Sequence, residues 1–315
     1  MSDKMIEVAD ETTADPTALA DGTTDQRPTS RRRLILRRFR RNKTAVVGLV
    51  VIVALALLAL IGPLLSQWSY DQIDRRGFLK APSDRHLLGT TQAGRDMLAL
   101  TLRGLRKSLV IGLLVAFIST GVAAVVGSFA AYFGGWFERV ALWVVDLLLV
   151  IPAFLLIAVV ATGGPKGPYA WLLLVVMLAA FSWQLSARVV RSLTMSVKER
   201  EYVFAARFMG LGAPRTIFRH ILPNISSLLI IDATLNVGAA ILAETGLSFF
   251  GFGVQPPDTS LGTLLGAGAR QINSFPWLFV GPAVVVVVLV LSVNAVGDGL
   301  RDALDPASAS SGSAR

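Results

Sequence analysis

The sequence predicts an all-α membrane protein with six transmembrane helices, and three observations carry that prediction. First, 53% of its 315 residues are hydrophobic and the mean hydropathy is +0.61, too apolar for a pair of soluble domains. Second, six apolar runs recur along the chain, each of about 20 residues, the length that crosses a hydrocarbon core at about 1.5 Å per residue. Third, residues 31–43 carry eight Lys or Arg and no acid directly before the first run, and such a block stays in the cytoplasm.

Taken in order, residues 1–30 are acidic and rich in Thr, Ala and Asp, a composition that buries too little surface to fold. With the basic block they are expected to form a disordered cytoplasmic tail over 1–43. The first span is expected at 44–65. It is too long for a signal peptide, follows forty polar residues and lacks a small-residue cleavage site. An external loop over 66–108 follows, and then a core of five spans over 109–300, at 109–133, 140–161, 169–189, 226–247 and 277–296. Residues 301–315 form a second cytoplasmic tail. Counting alternately from an inside amino terminus puts residues 199–224, between the fourth and fifth spans, in the cytoplasm. The basic residues around that loop agree, from Arg188 to Arg219, whereas the eight Lys or Arg of 66–108 run against the rule. The net charge of +9 lies beside apolar spans, where anionic lipid and topology account for it and nucleic acid is not called for.

The loop at 199–224 reads as two short helices. Tyr202, Val203, Ala206 and Met209 fall at helical spacing, Gly210 and Gly212 break the first helix, Pro214 suits the first turn of the second, and Pro223 closes it. Ala205, Ala206, Gly210, Leu222 and Pro223 stand where the cytoplasmic EAA loop of ATP-binding-cassette importer permeases has its Ala-Ala, Gly and Leu-Pro. The segment resembles that loop, with Phe204 in the place of the Glu and His220 in that of an Ile. A-A-R-x-x-G followed by R-H-I-L-P-N is similar to the dipeptide and oligopeptide branch, the peptide/nickel permeases.

Three further stretches carry the resemblance. H-L-L-G-T-T-Q-A-G-R-D-M-L at 86–98, followed by Gly104, Arg106, Ser108 and Gly112 and with Thr91 replacing the usual Asp, is similar to a motif of the same branch. Here the glycines permit tight turns, and Arg95 and Asp96 can cap a helix lying on the membrane. That motif is either architecture or a contact for an external binding protein. E-T-G-L-S-F-F-G-F-G-V-Q-P-P-D-T-S-L-G at 244–262, rimmed by Phe249, Phe250 and Phe252, is similar to another motif of the branch and reads as an external re-entrant or surface turn. N-A-V-G-D-G-L-R-D-A-L-D-P closes the pattern at 294–306.

The resemblance implies the C-type permease subunit of an importer with the type I permease fold. It further implies a heterodimer with a second homologous permease, two cytoplasmic ATPase subunits and an external solute-binding protein. The protein would be multi-pass in the cell (inner) membrane with both termini cytoplasmic. The loop would be the coupling helix, carried by Glu201, Tyr202, Phe204, Ala205, Ala206, Arg207, Gly210, Pro214, Arg219, His220 and Pro223. Di- and oligopeptides are the implied cargo, while nickel, glutathione or another small solute stays open.

Within the spans, carboxylates are costly and need partners or water. Asp146 and Asp232 therefore either bond neighbouring helices or line a path, and Pro152 is expected to kink the third span as part of a gate. Glu244, at the outer end of the fifth span, is read as capping a helix or bonding a loop in preference to binding a ligand. There is no cysteine, His86 and His220 fall on opposite faces, and neither a nucleophile elbow nor a G-x-x-x-x-G-K-[ST] phosphate loop occurs. No catalytic residue, metal or cofactor is called for. The other class of transporter, a self-sufficient secondary carrier, needs inverted repeats that the sequence does not display.

Overall fold

A computed structural model describes residues 31–164, 167 and 169–304. The tails expected at 1–30 and beyond 304 lie outside the described residues.

Twelve α-helices account for most of the described chain. α1 (Arg31–Arg41) and α2 (Lys43–Leu65) meet at Asn42, whose side chain accepts the Ala45 N–H and so caps α2. The basic block is thus helical through Arg41. Phe39 of α1 packs with Ala45, Val296 and Ala303, which pins α1 against the far end of α12 (Trp277–Leu304). α12 continues past residue 300, where a tail had been expected.

α3 (Met97–Phe133) starts twelve residues before the expected second span. Asp96 accepts the Ala99 N–H at 2.8 Å, so half of the expected Arg95–Asp96 cap forms. The same carboxylate lies 2.9 Å from His86 Nδ1, while His86 Nε2 lies 3.4 Å from Asp74. His86 is only 1% exposed and lies against Trp68, so the buried residues of the 86–98 motif hold the 66–96 loop together, while Leu87, Gln92, Ala93 and Arg95 stay exposed.

The third and fourth spans are not single helices. α4 (Gly135–Val150) and α5 (Ala153–Gly163) are bent by 77°, and α6 (Ala170–Ala180) and α7 (Gln184–Lys198) by 45°. Pro152 therefore ends one helix and precedes the next, where a kink within one span was expected. Four unbroken helices are long and apolar enough to cross a membrane, and six passes result if each bent pair is one span.

α8 (Glu201–Phe208) and α9 (Ala213–Thr216) form the expected helix pair, with Pro214 in the first turn of α9. Pro223 does not close α9. A π-helical turn at Ile217–Ile221 joins α9 to α10 (Leu222–Phe249), and the Leu222 N–H reaches back five residues to the Ile217 carbonyl. Widening the turn gives the proline ring room that an α-helical register would deny it. The turn expected at 244–262 is shorter than that, because α10 stays helical to Phe249 and α11 begins at Leu261. Ser260 then opens α11 (Leu261–Ala269) with a capping box.

Packing orders these elements into an antiparallel bundle. α3 lies against α10 and α7, and α12 against α2 and α10. Close approach is explicit at Gly127, where a Cβ would stand 2.5 Å from the Ala187 carbonyl of α7. Gly121, paired with it in sequence, has open space instead. One end of the bundle carries the 66–96 loop, α11 and the start of α3. The other gathers α1, the end of α12 and the α8–α9 pair, which packs through Val203, Ile217 and Ile221 on Phe129 and Tyr132 near the end of α3.

Candidate functional site

The α8–α9 pair is anchored on one face and open on the other. Val203 and Ala206 are buried in α8, as are Thr216, Ile217 and Ile221 beyond it. Glu201, Tyr202, Phe204, Ala205 and Arg207 are all exposed, as are Phe208 at 88% and Met209 at 73%. Of the four residues expected on the buried stripe, Tyr202 and Met209 lie outside it, because α8 has only eight residues and the bundle touches it along one narrow line.

Gly210 has φ of +80° and directs its N–H to the Arg207 carbonyl, while the Leu211 N–H returns to Ala206. That pattern ends α8 in the left-handed conformation that favours glycine. Arg207 stacks its guanidinium 5.6 Å from the Tyr132 ring centre and 5.9 Å from that of Phe204. Pro214, Arg219 and Pro223 are exposed and His220 half-buried, its carbonyl taking the Asn224 amide at 2.7 Å. The open face therefore combines large apolar side chains with three arginines, counting Arg215, and is left uncovered by the described residues.

The two intramembrane aspartates are not brought together. Asp232 accepts from Ser186 Oγ at 2.8 Å, Asn236 Nδ2 at 3.0 Å and Thr120 Oγ1 at 3.2 Å. The cluster ties α3, α7 and α10 together and is itself half-buried. Asp146 faces outward from α4 and pairs with Arg188 of α7, their side chains 60% and 44% exposed. Ser186 and Arg188 are two residues apart on α7 and so point to nearly opposite sides, which is why one helix serves both acids. Of these partners, Asn236 was legible as the i+4 neighbour of Asp232. The others sit on different helices and gave no local signal. Glu138 pairs in the same way with Arg191, and Lys198 donates to the Ala131 carbonyl at 2.8 Å.

At the opposite end, Glu244 is fully buried and accepts from Ser108 Oγ at 2.8 Å and Ser248 Oγ at 2.6 Å. Ser108 also receives the Leu261 N–H at 3.3 Å, so Glu244 ties α3 and α10 to the start of α11. Among the described residues no group of three or more His, Cys, Asp or Glu is placed to hold a metal ion.

Comparison with known proteins agrees with this architecture over nearly the whole chain. Residues 123–309 match the family described as binding-protein-dependent transport system inner membrane component. Residues 30–82 match the N-terminal TM domain of oligopeptide transport permease C. The oligopeptide transport system permease protein OppC of Mycobacterium tuberculosis (strain H37Rv) is 53% identical over 281 residues, covering 89% of this chain and 96% of that protein. A putative peptide permease protein of Brucella suis is 38% identical over 85% of this chain and 89% of its own length. The Bacillus subtilis OppC is 34% identical over 85% of this chain and 87% of its own. With a helical bundle, an amino-terminal span and a core that all match, the chain belongs to the family of binding-protein-dependent transport system inner membrane components, the permease subunits of ATP-binding-cassette importers.

Proposed function

We propose that this chain is the translocation subunit through which an ATP-driven importer carries di- and oligopeptides into the cell. It pairs with a second homologous permease and is driven by two separate ATPase subunits, with an external binding protein delivering the cargo. α8 and α9 form the coupling helix, and their end of the bundle, with both chain termini, faces the cytoplasm. Phe208 and Met209 enter the ATPase groove and Arg207 and Arg215 contact its rim. The π turn and α10 carry the displacement into the bundle. The polar cluster around Asp232 lies on the helices that move and lines the path.

The observation that carries this reading is the exposure of Phe208 and Met209 on a helix whose other face is locked to the bundle by Val203 and Ala206. An apolar side chain held rigidly in solvent has the form of an interface anchor. The reported cargo of the relatives named above supports the peptide assignment.

The test is reconstitution of the complex in liposomes with its binding protein and a labelled oligopeptide. Uptake should require ATP inside and binding protein outside, and Phe208→Ala should lower it at least about tenfold by loss of one buried aromatic anchor. Uptake by this chain alone, driven by an ion gradient, would refute the assignment.

A further inference from the structure

The first turns of α3 build a cationic cleft that the coupling face does not explain. Arg103, Arg106 and Lys107 stand at i, i+3 and i+4 on one side of the helix. With Val110 and Trp171 they line a cleft of about 200 Å³. Among the described residues a single acid pairs with them. Asp258, from the loop before α11, accepts from Arg103 at 3.1 Å and from Lys107 at 2.7 Å.

The cations are held stiffly. Arg103 stacks over the Tyr70 ring at 4.8 Å and Lys107 over Trp171 at 4.4 Å. Lys107 and Asp258 are largely buried, at 13% and 12% exposed. The three positive charges are balanced by one, leaving an excess beside the low-dielectric bundle. Arg106 is exposed and makes no ion pair among the described residues, and Arg103 Nε is buried without a hydrogen-bond partner. A site with surplus cations, an unused buried donor and one exposed guanidinium without an ion pair is complementary to a small planar anion, and arginine favours carboxylate in bidentate geometry.

The cleft lies at the end of the bundle opposite α8–α9. From Lys107 to Phe129 of α3, which packs on the coupling segment, the helix rises about 33 Å. On the transport reading above, that end is the outer mouth of the path.

We infer that the Arg103–Arg106–Lys107 cleft receives the free α-carboxylate of the incoming peptide as it leaves the binding protein, with Arg106 as the specificity-determining side chain. The inference rests on the proposed peptide transport. It commits to a carboxylate, and the competing source of an anion, a lipid phosphate, is separated by the test.

The assay uses the whole complex in liposomes, with trialanine and its carboxyl-terminal amide at concentrations that saturate the binding protein with either peptide. The rate per loaded binding protein is compared as an acid-to-amide ratio. Because the binding protein is common to all samples, a change in that ratio belongs to this chain. Arg106→Gln should lower the ratio about tenfold, the equivalent of one charge-assisted contact of about 1.4 kcal/mol, and Arg106→Lys should recover part of it. A ratio unchanged by Arg106→Gln overturns the inference, as does an equal loss for acid and amide. So does a change confined to liposomes containing anionic lipid and missing in neutral ones, which assigns the cleft to lipid phosphate. Absence of ATP-dependent uptake by the wild-type complex refutes the transport reading itself and is distinguishable from all three.

Discussion

Asp74 anchors the 66–96 loop through a carboxyl whose pKa lies below its ordinary value of 3.8. The Arg76 backbone N–H at 2.9 Å does most of this against partial desolvation, and His86 and the Arg85 guanidinium add to it. Because the folded value is depressed, the contribution to loop stability is complete above pH 3.8 and is lost as pH falls through the folded value. Pepsin should therefore nick the loop faster as pH drops below 3.8, and Asp74→Asn should nick readily on both sides of it. A variant with the wild-type pH profile would refute this role for the carboxylate. Neither Asp74 nor its contact with His86 was legible in the sequence, since twelve residues of irregular loop separate the two. The Asp96 cap was legible, because a cap is made within three residues of its own helix.

At the scale of elements, the two glycines between α8 and α9 look alike in sequence and differ in structure. Gly210 sits at φ +80° with open space around it, so a side chain there meets backbone strain and no collision. Gly212 also has open space, and its φ is −64°. Gly210→Val should carry strain of about 1–3 kcal/mol and lower ATP-driven uptake several-fold in the reconstituted complex, with membrane insertion unchanged. Gly210→Asn should lose less, since Asn tolerates the left-handed region, and Gly212→Ala should transport normally. Equal losses at both glycines would point to flexibility and rule out conformation as the cause. The presence of the apolar stretches was legible in composition, because hydropathy is a local property, but their ends were not, since α3 starts twelve residues before the expected second span. Pro152 marked a bend in the third span, but the full helix break there, the break around Phe181 and the π turn before Pro223 were not legible. Whether proline ends a helix or is absorbed into it depends on how the neighbouring helices hold the freed backbone.

At the scale of the whole molecule, the helix packing brings α1, α8–α9 and the end of α12 to one end and the 66–96 loop to the other. The chain has no cysteine, so single cysteines can report sidedness without background. Phe208→Cys should react with an impermeant thiol reagent only when the cytoplasmic face is open, and Gln92→Cys in intact cells. Labelling of both from the same side would refute the orientation.

The sequence by itself determined the membrane class, the number of apolar runs, the basic block at 31–43 and the ordered motifs that mark the family. All of these are written in local composition and short spacings. Only the tertiary structure decided the partners of Asp146, Asp232 and Glu244, the anchored and open faces of α8, and the meeting of Arg103 and Lys107 with Asp258 across about 150 residues of chain. Those pairings are set by which helices pack together, and packing at such separations leaves no periodicity along the chain.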